Sequence, residues 1–329
     1  MPELKDSTAV ILMGTYNGGR FIREQLDSIA AQTHTDWRLL VRDDGSTDQT
    51  VTLLERAAAD DRRIEILRDT KGNLGPPQNF SELCTAAETR GYPYIFFADQ
   101  DDIWHPDKVA QSLAALRSEE DRSPNTTPLL LHTDLTVVDE DRNVVDTSLM
   151  HYSGFHHVAA DPLRTLLVQN FVTGCSVACN RALLRLAAPI PSVAIMHDYW
   201  FALCAAAYGQ LLYLPHATLE YRQHGDNQLG ARRHTRLPNP LRTGPWHAWR
   251  DGLAVFERRI SQAMALNALS KQHAFCNDEA QAAVTDFLDI FSARSRIGRL
   301  IRAFRSRLRC QRGTAHNALM YAQILFASV

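Results

Sequence analysis

The sequence predicts an α/β fold: a mostly parallel central sheet flanked by helices, with a helical C-terminal extension. Three observations carry this expectation. Short apolar runs alternate with segments of helical apolar spacing through the first third of the chain, the rhythm of βα units. The runs are continuously apolar, as strands buried on both faces are. Polar clusters follow three of the runs, at the strand ends where such sheets bind ligands.

The elements follow in order. Ala9 to Gly14 reads as the first strand, followed by a helix with Phe21, Ile22, Leu26 and Ile29 on one face. Trp37 to Val41 is the second strand, and Asp48 to Ala59 a helix with Val51, Leu54 and Ala58 at helical spacing. Ile64 to Leu67 is a third strand. Gly72 to Pro77 is a loop marked by two glycines and two prolines. Phe80 to Thr89 is helical, Tyr94 to Ala98 is the fourth strand, and Lys108 to Arg117 is a helix. Beyond it, Leu129 to Asp139 and Phe171 to Cys179 read as longer strands and Arg181 to Leu186 as a short helix. Asp198 opens an apolar helix, Leu211 to Leu214 and Ala217 to Tyr221 are strands, and the pattern is helical after about Thr235. His234 to Pro245 reads as a linker. The expected division is a catalytic domain over 1–234, with a nucleotide-binding half at about 8–120 and an acceptor half at about 121–234, and a helical extension over 235–329.

The chain has 329 residues, 45% apolar and 22% charged, with a net charge of −2. That composition is ordinary for a globular protein and provides no global field for nucleic acid. The charge is uneven: from Ile290 onward there are eight arginines and no Asp or Glu, so the remainder carries a net charge of −10. The six cysteines form no Cys-x-x-Cys pair, which excludes a zinc-type spacing and fits a reducing cytosol. The N-terminus does not read as a signal peptide. Tyr199 to Leu219 lacks Lys, Arg, Asp and Glu, but Gly209, Gln210, Pro215 and His216 interrupt it, so it reads as a helix followed by strands.

The rim clusters are Thr15-Tyr16-Asn17, Asp43-Asp44-Gly45-Ser46 and Asp99-Gln100-Asp101-Asp102. Three carboxylates at the end of a buried strand repel one another, and a cation between them removes the problem. In an extended segment Asp99 and Asp101 share one side and Asp102 takes the other. That pattern suits a hard divalent ion, Mg²⁺ or Mn²⁺, held by carboxylates and substrate phosphates. An acidic turn, or Asp102 or Asp107 capping the helix after Pro106, is the competing reading.

These motifs resemble the family 2 glycosyltransferases over Val10 to about Gly230. Val10 to Gly18 is similar to the family's opening strand and nucleotide loop, Val41 to Asp48 to its second motif, and Asp99-Gln100-Asp101 to its Asp-x-Asp metal motif. Gln25 to Gln32, Asp99 to Trp104, His197-Asp198-Tyr199-Trp200 and Tyr221 to Asn227 are most similar to bacterial rhamnosyltransferase-type enzymes of surface-polysaccharide synthesis. The resemblance implies a GT-A-type nucleotide-diphospho-sugar transferase fold and metal-dependent, inverting transfer of a sugar, rhamnose by the nearer likeness. The donor would be a nucleotide-diphosphate sugar, the acceptor a hydroxyl of a glycan or polyprenyl-diphosphate-linked molecule.

The resemblance also implies roles. Asp101 holds the metal, Asp99 the ribose or the metal, and His224 the metal or diphosphate. Asp43 meets the nucleobase, and Thr15, Tyr16 and Asn17 frame base and ribose. Ser46 lies in the same motif and, like Asp48, is also placed to cap the following helix. Asn79 lies in the next rim segment, with Asn73 and Gly75. Asp198 matches the general base; His197 stands where the family has a carboxylate, and an N-cap role for Asp198 is the alternative. Trp200 reads as a sugar platform or a core residue. Cys175, in Thr173-Gly174-Cys175, reads as packing.

Ile297, Leu300, Ile301, Phe304 and Leu308 follow helical spacing among the arginines of the tail. A basic amphipathic helix of this kind suits an anionic membrane surface, placing the protein peripherally on the inner face of the cytoplasmic membrane; packing on the catalytic domain is the alternative. Nucleic acid is the lesser partner. The rival functions are a nucleotidyltransferase acting on sugar phosphates, whose basic glycine-rich loop is only partly matched by Gly14 to Arg20, and a non-catalytic glycan-binding protein on the same fold.

Overall fold

In the computed structural model, residues 5–124, 126–225 and 245–327 are described. β1 (Ala9–Thr15), α1 (Ile22–Ala30), β2 (Trp37–Asp43), α2 (Thr50–Asp60), β3 (Ile64–Ile66), α3 (Pro76–Arg90) and β4 (Tyr94–Ala98) alternate as the apolar runs require. β5 (Ile103–Trp104) and α4 (Lys108–Glu120) follow. Then come β6 (Leu129–Val138), β7 (Val144–Asp146), α5 (Leu149–Ser153), α6 (Pro162–Leu166), β8 (Ala178–Asn180), α7 (Arg181–Ala187), α8 (His197–Tyr208) and β9 (Gln210–Arg222). The last helices are α9 (Pro245–Ala268), α10 (Asp278–Ser292), α11 (Arg296–Arg305) and α12 (Thr314–Phe326).

Among the described residues the sheet has nine strands in the order β3-β2-β1-β4-β8-β6-β9-β5, with β7 paired to β6. β1 to β4 are mutually parallel, as are β6 and β9; β8, β5 and β7 join antiparallel. Alternate residues of one strand feed two cores, because successive side chains point to opposite faces. Ile11, Met13, Leu39, Val41 and Phe96 pack with Ile22, Leu26, Leu54 and Leu113 of α1, α2 and α4. Val10, Leu12, Leu40, Ile95 and Phe97 pack on α3, α7 and α8. Phe256, Phe287, Ala303 and Ile324, from the last four helices, join that second core. The helices after 245 thus share the core of the sheet.

Several expectations change. The Gly72–Pro77 loop ends early because Pro76 and Pro77 occupy the first turn of α3, where missing N–H groups cost nothing. Phe171–Cys179 is not one strand: Gly174–Ser176 is a 3₁₀ turn before β8. A Cβ on Gly174 would lie 2.8 Å from His197 Nε2, so the turn follows the approach of α8. The two strands expected over 211–221 are one, with the register against β6 shifting near Pro215, where the ladder lacks a donor. The expected linker, the domain boundary at 234/235 and the Asp226-Asn227 end of the last motif fall outside the described residues, apart from Pro245, which opens α9.

Candidate active site

The order β2-β1-β4 places three loops side by side at one rim. Thr15 pairs with Asp43 in register, and Met13 with Ala98. Asp43 organises the first two loops: it accepts from the Thr15 hydroxyl at 2.8 Å, the Ser46 hydroxyl at 2.6 Å, and the N–H groups of Gly45 and Ser46. Asn17, at φ 48°, donates its N–H to Ser46 Oγ and accepts from the Thr47 N–H, both at 2.8 Å. The cap expected from Ser46 or Asp48 does not form: Gln49 takes the N-cap position of α2 without a side-chain cap bond, and Asp48 just before it accepts from the Thr50 N–H and the Gly19 N–H, each at 2.9 Å. Tyr16 is left 42% exposed over this cradle.

Gln100 ties the third loop to the first. Its Oε1 accepts from the Tyr16 N–H at 2.9 Å and its Nε2 donates to the Tyr16 carbonyl at 3.1 Å. A Cβ on Gly18 would sit 2.3 Å from Gln100 Oε1, so this clasp requires glycine there. Behind the second loop, Arg42 is buried and spends its guanidinium on Asp69 at 2.7 and 3.0 Å, Asp44 at 2.7 Å, Asn79 Oδ1 at 3.1 Å and the Gly72 carbonyl at 3.0 Å. Asp44 in turn accepts from the Leu74 and Gly75 N–H groups. Asn79, expected among the nucleotide contacts, is buried with its amide engaged by Arg42 and the Arg42 carbonyl.

Bends at Gln100 and Asp101 break the extended geometry after Ala98. The alternation expected for the acid cluster therefore fails: Asp99 and Asp102 converge with Cys175, their ligand atoms within 4.8 Å of one another, and Asp101 turns to His224. His224 Nε2 lies 2.8 Å from Asp101 Oδ2. β5 pairs with β9, which brings the end of β9 back over the Asp-x-Asp loop. Arg222, on β9, fixes that return by donating to the Asp101 carbonyl, the Glu140 carbonyl and the Glu24 carboxylate. Asp102 is buried; its Oδ1 accepts from the Arg222 N–H at 3.3 Å, and its Oδ2 meets no donor among the described residues beyond the Cys175 thiol beside it. The cap alternative fails too: Asp107 holds the N-cap position of α4 without a side-chain cap bond.

The electrostatics follow from the crowding. Burial, then the charges of Asp101 and Asp198, push the Asp99 carboxyl up to about 7. Burial pushes Asp198 up to about 7 against the N–H groups that hold it, and pushes Asp102 well above the carboxylate range. Lys108, fully buried beneath Asp102 and Cys175, is pushed down to about 8 by burial and donates to Thr218 Oγ1 at 3.2 Å.

Asp198 enters from the other side of the rim, in the first turn of α8. Met196 takes the N-cap position, so the cap alternative for Asp198 does not hold. Asp198 accepts from the Tyr199 N–H, and Asn170 Nδ2 lies 3.5 Å from its Oδ1. His197 stacks on Phe80 at 3.7 Å and is held neutral, pushed down to about 3 by burial. Trp200 is a core residue, buried and bonded to the Ala187 carbonyl.

The donor set suits a hard divalent cation: carboxylates crowded enough to lift Asp99 and Asp102, and a histidine nitrogen facing Asp101. The structure brings together Thr15, Asn17, Asp43 and Ser46, and separately Asp101 and His224 in the loop that also holds Asp99; Asp198 stands in the first turn of α8, held by the Tyr199 N–H. Gln100, Arg42, Asp44 and Arg222 stood in the quoted motifs without a role of their own, and Lys108 stood only as the start of an expected helix. An arginine closing the apolar run Leu39-Leu40-Val41 was the available signal for Arg42; Lys108 gave none.

Residues 10–123 match the model of glycosyl transferase family 2. The chain is 38% identical over 105 residues to the dTDP-rhamnosyl transferase RfbG of Shigella flexneri, covering 32% of this chain and 36% of that protein. It is 32% identical over 116 residues to the Escherichia coli glucosyltransferase WfgD, described as acting on α-D-GlcNAc-diphosphoundecaprenol, covering 34% and 42% of the two chains. The chain thus spans less than half the length of either relative. The fold is shared with S. aureus TarS 1-349, solved in complex with UDP-GlcNAc, at a TM-score of 0.53 and 17% identity, covering 85% of this chain and 71% of that one.

Proposed function

We propose, from the premise that residues 10–123 are a glycosyl transferase family 2 domain, that the chain is a metal-dependent inverting glycosyltransferase. It moves a sugar from a nucleotide-diphosphate donor to an acceptor hydroxyl in bacterial surface-polysaccharide synthesis. The observation that carries the reading is the meeting of Asp101 and His224 at 2.8 Å, with Gln100 of the same loop tied to the Tyr16 backbone of the first rim loop. Rhamnose is the sugar, supported by the identity to the rhamnosyl transferase over the same domain. A polyprenyl-diphosphate-linked acceptor is supported by the likeness to the undecaprenol-dependent glucosyltransferase.

The loops divide the work. Asp43, held by Thr15 and Ser46, presents its carboxylate edge to the nucleobase, with Tyr16 and Asn17 framing base and ribose. Asp99, Asp101 and His224 would hold Mg²⁺ or Mn²⁺. When bound, the cation supplies neutralisation of the charge that develops on the leaving diphosphate. Asp198 accepts the proton of the acceptor hydroxyl as its oxygen bonds the anomeric carbon from the face opposite the diphosphate. The carbon–oxygen bond to the diphosphate breaks, and the anomeric centre inverts. His197, neutral and packed on Phe80, fixes the α8 start behind Asp198.

Incubation with dTDP-rhamnose, Mn²⁺ and a polyprenyl-diphosphate-linked acceptor, with products separated by mass, tests the reading. The expected products are nucleoside diphosphate and an acceptor heavier by one sugar. Pyrophosphate as product would assign a nucleotidyltransferase instead, and no turnover with any nucleotide sugar would leave a binding protein.

A further inference from the structure

The last helices carry a surface built the opposite way to an ordinary packed helix. Ile297, Ile301 and Phe304 lie at i, i+4 and i+7 on one face of α11 and are 73%, 49% and 62% exposed. The inner side holds the fully buried Ala303 and two arginines. Arg302 donates to Asp289 and Arg299 to the Ala327 carbonyl, each at 2.7 Å. A helix of a globular domain turns its apolar stripe to the core; α11 turns its stripe outward. The apolar surface continues onto α12, where Tyr321 stacks on Phe304 at 4.5 Å and the exposed Phe326 lies under the Arg296 guanidinium at 4.6 Å. Arg294, Arg305, Arg307 and Arg309 are exposed around it, and no acidic residue follows Ile290.

We propose that this face docks on an anionic phospholipid bilayer, with Ile297, Ile301 and Phe304 entering the acyl boundary and the arginines meeting lipid phosphates. Charge selects the occupant. A second copy seated on the same face would set Arg294, Arg305, Arg307 and Arg309 against the same four arginines, with no carboxylate of the segment between them. An anionic surface satisfies both the apolar stripe and its basic surround. Among the described residues no helix is long and apolar enough to cross a membrane, so the contact is interfacial. The docking deepens the proposed use of a lipid-linked acceptor and rests on that reading for its purpose, but its test contains neither donor nor acceptor.

The full chain is sedimented with vesicles of phosphatidylcholine alone and of phosphatidylcholine with phosphatidylglycerol. The expected result is binding to the anionic vesicles, weakened by salt, and about a tenfold or greater loss for the triple variant Ile297→Ser, Ile301→Ser, Phe304→Ser with its melting temperature unchanged. Arg305→Gln, Arg307→Gln, Arg309→Gln should abolish the preference for anionic lipid. Should the triple variant fail to fold, Phe304→Trp reports by difference: its emission minus that of the wild type, which carries five tryptophans, should shift to the blue on anionic vesicles. Wild-type protein left in the supernatant, equal binding by the folded triple variant, an unshifted emission from Phe304→Trp, or a dimer that the triple variant turns into monomers would each overturn the proposal.

Discussion

Nε2 of His224 lies 2.8 Å from Oδ2 of Asp101, across 123 residues of sequence. The pair exists because β5 and β9 pair antiparallel and Arg222 pins the end of β9 to the Asp101 carbonyl. In the proposed site both side chains serve one cation. Charge neutralisation worth several kcal/mol depends on them, so Asp101→Asn and His224→Ala should each lower kcat by about a hundredfold or more. Both should leave the melting temperature near that of the wild type. Steady-state rates across a Mn²⁺ titration check this, and a variant with normal rates at limiting metal would remove that residue from the site.

The Asp198 carboxyl, pushed up to about 7 by burial, is a base only when ionised. The rate should therefore rise with pH through about 7 and level off above it. Asp198→Asn should cost about 10²–10⁴-fold in kcat and abolish that limb. The pH dependence of kcat/KM for both proteins is the check; a limb persisting in the variant would assign it to another group.

Gln100 ties the metal loop to the nucleotide loop through both directions of its bond with Tyr16. Losing two hydrogen bonds worth about 1 kcal/mol each should weaken donor binding by about thirtyfold in Gln100→Ala, chiefly in KM. Gly18→Ala should do the same, since its Cβ would displace the Gln100 amide. An unchanged donor KM in both variants would mean that the clasp does not shape the nucleotide loop.

Arg42 is the brace behind that loop. Removing it leaves the buried Asp44 without its cation, so Arg42→Met should destabilise by about 3–5 kcal/mol. Its guanidinium also holds the Asp69 carboxyl down to about 2, below the ordinary value of 3.8. A depressed carboxylate stabilises the fold above its unfolded pKa, and that contribution is lost as pH falls through the folded one. Melting temperature should therefore fall between pH 4 and 2, and less steeply in Asp69→Asn. Parallel curves for the two proteins would contradict the pairing.

Much of the rim was legible because it depends on local pattern. Continuous apolar runs fix β1, β2 and β4, and the parallel order they impose sets Thr15, Asp43 and Asp99 at one edge. The parts that stayed hidden depend on distant partners. Asp102 turns inward because the chain bends at Gln100 to reach Tyr16, which strand alternation cannot foresee. Asn79 looked like a rim residue until Arg42, 37 positions earlier, took its amide. Lys108 reads as the first residue of a surface helix; only the meeting of α4 with β9 buries it against Thr218. The helical spacing expected of the tail holds from Ile297 to Phe304 in α11 but not at Leu308, which lies past the helix end and is buried; on the inner side of α11, Arg302 reaches Asp289 on α10.

Donor binding by the full chain, measured with and without Mn²⁺, separates a metal-dependent donor site from its alternatives. Ligand that binds only the folded state raises the melting temperature, so a panel of nucleotide sugars should give a shift for one nucleotide class that requires Mn²⁺ and disappears in Asp101→Asn. An equal shift without metal, or an Asp101→Asn protein that responds as the wild type does, would contradict a metal-dependent donor site at this rim.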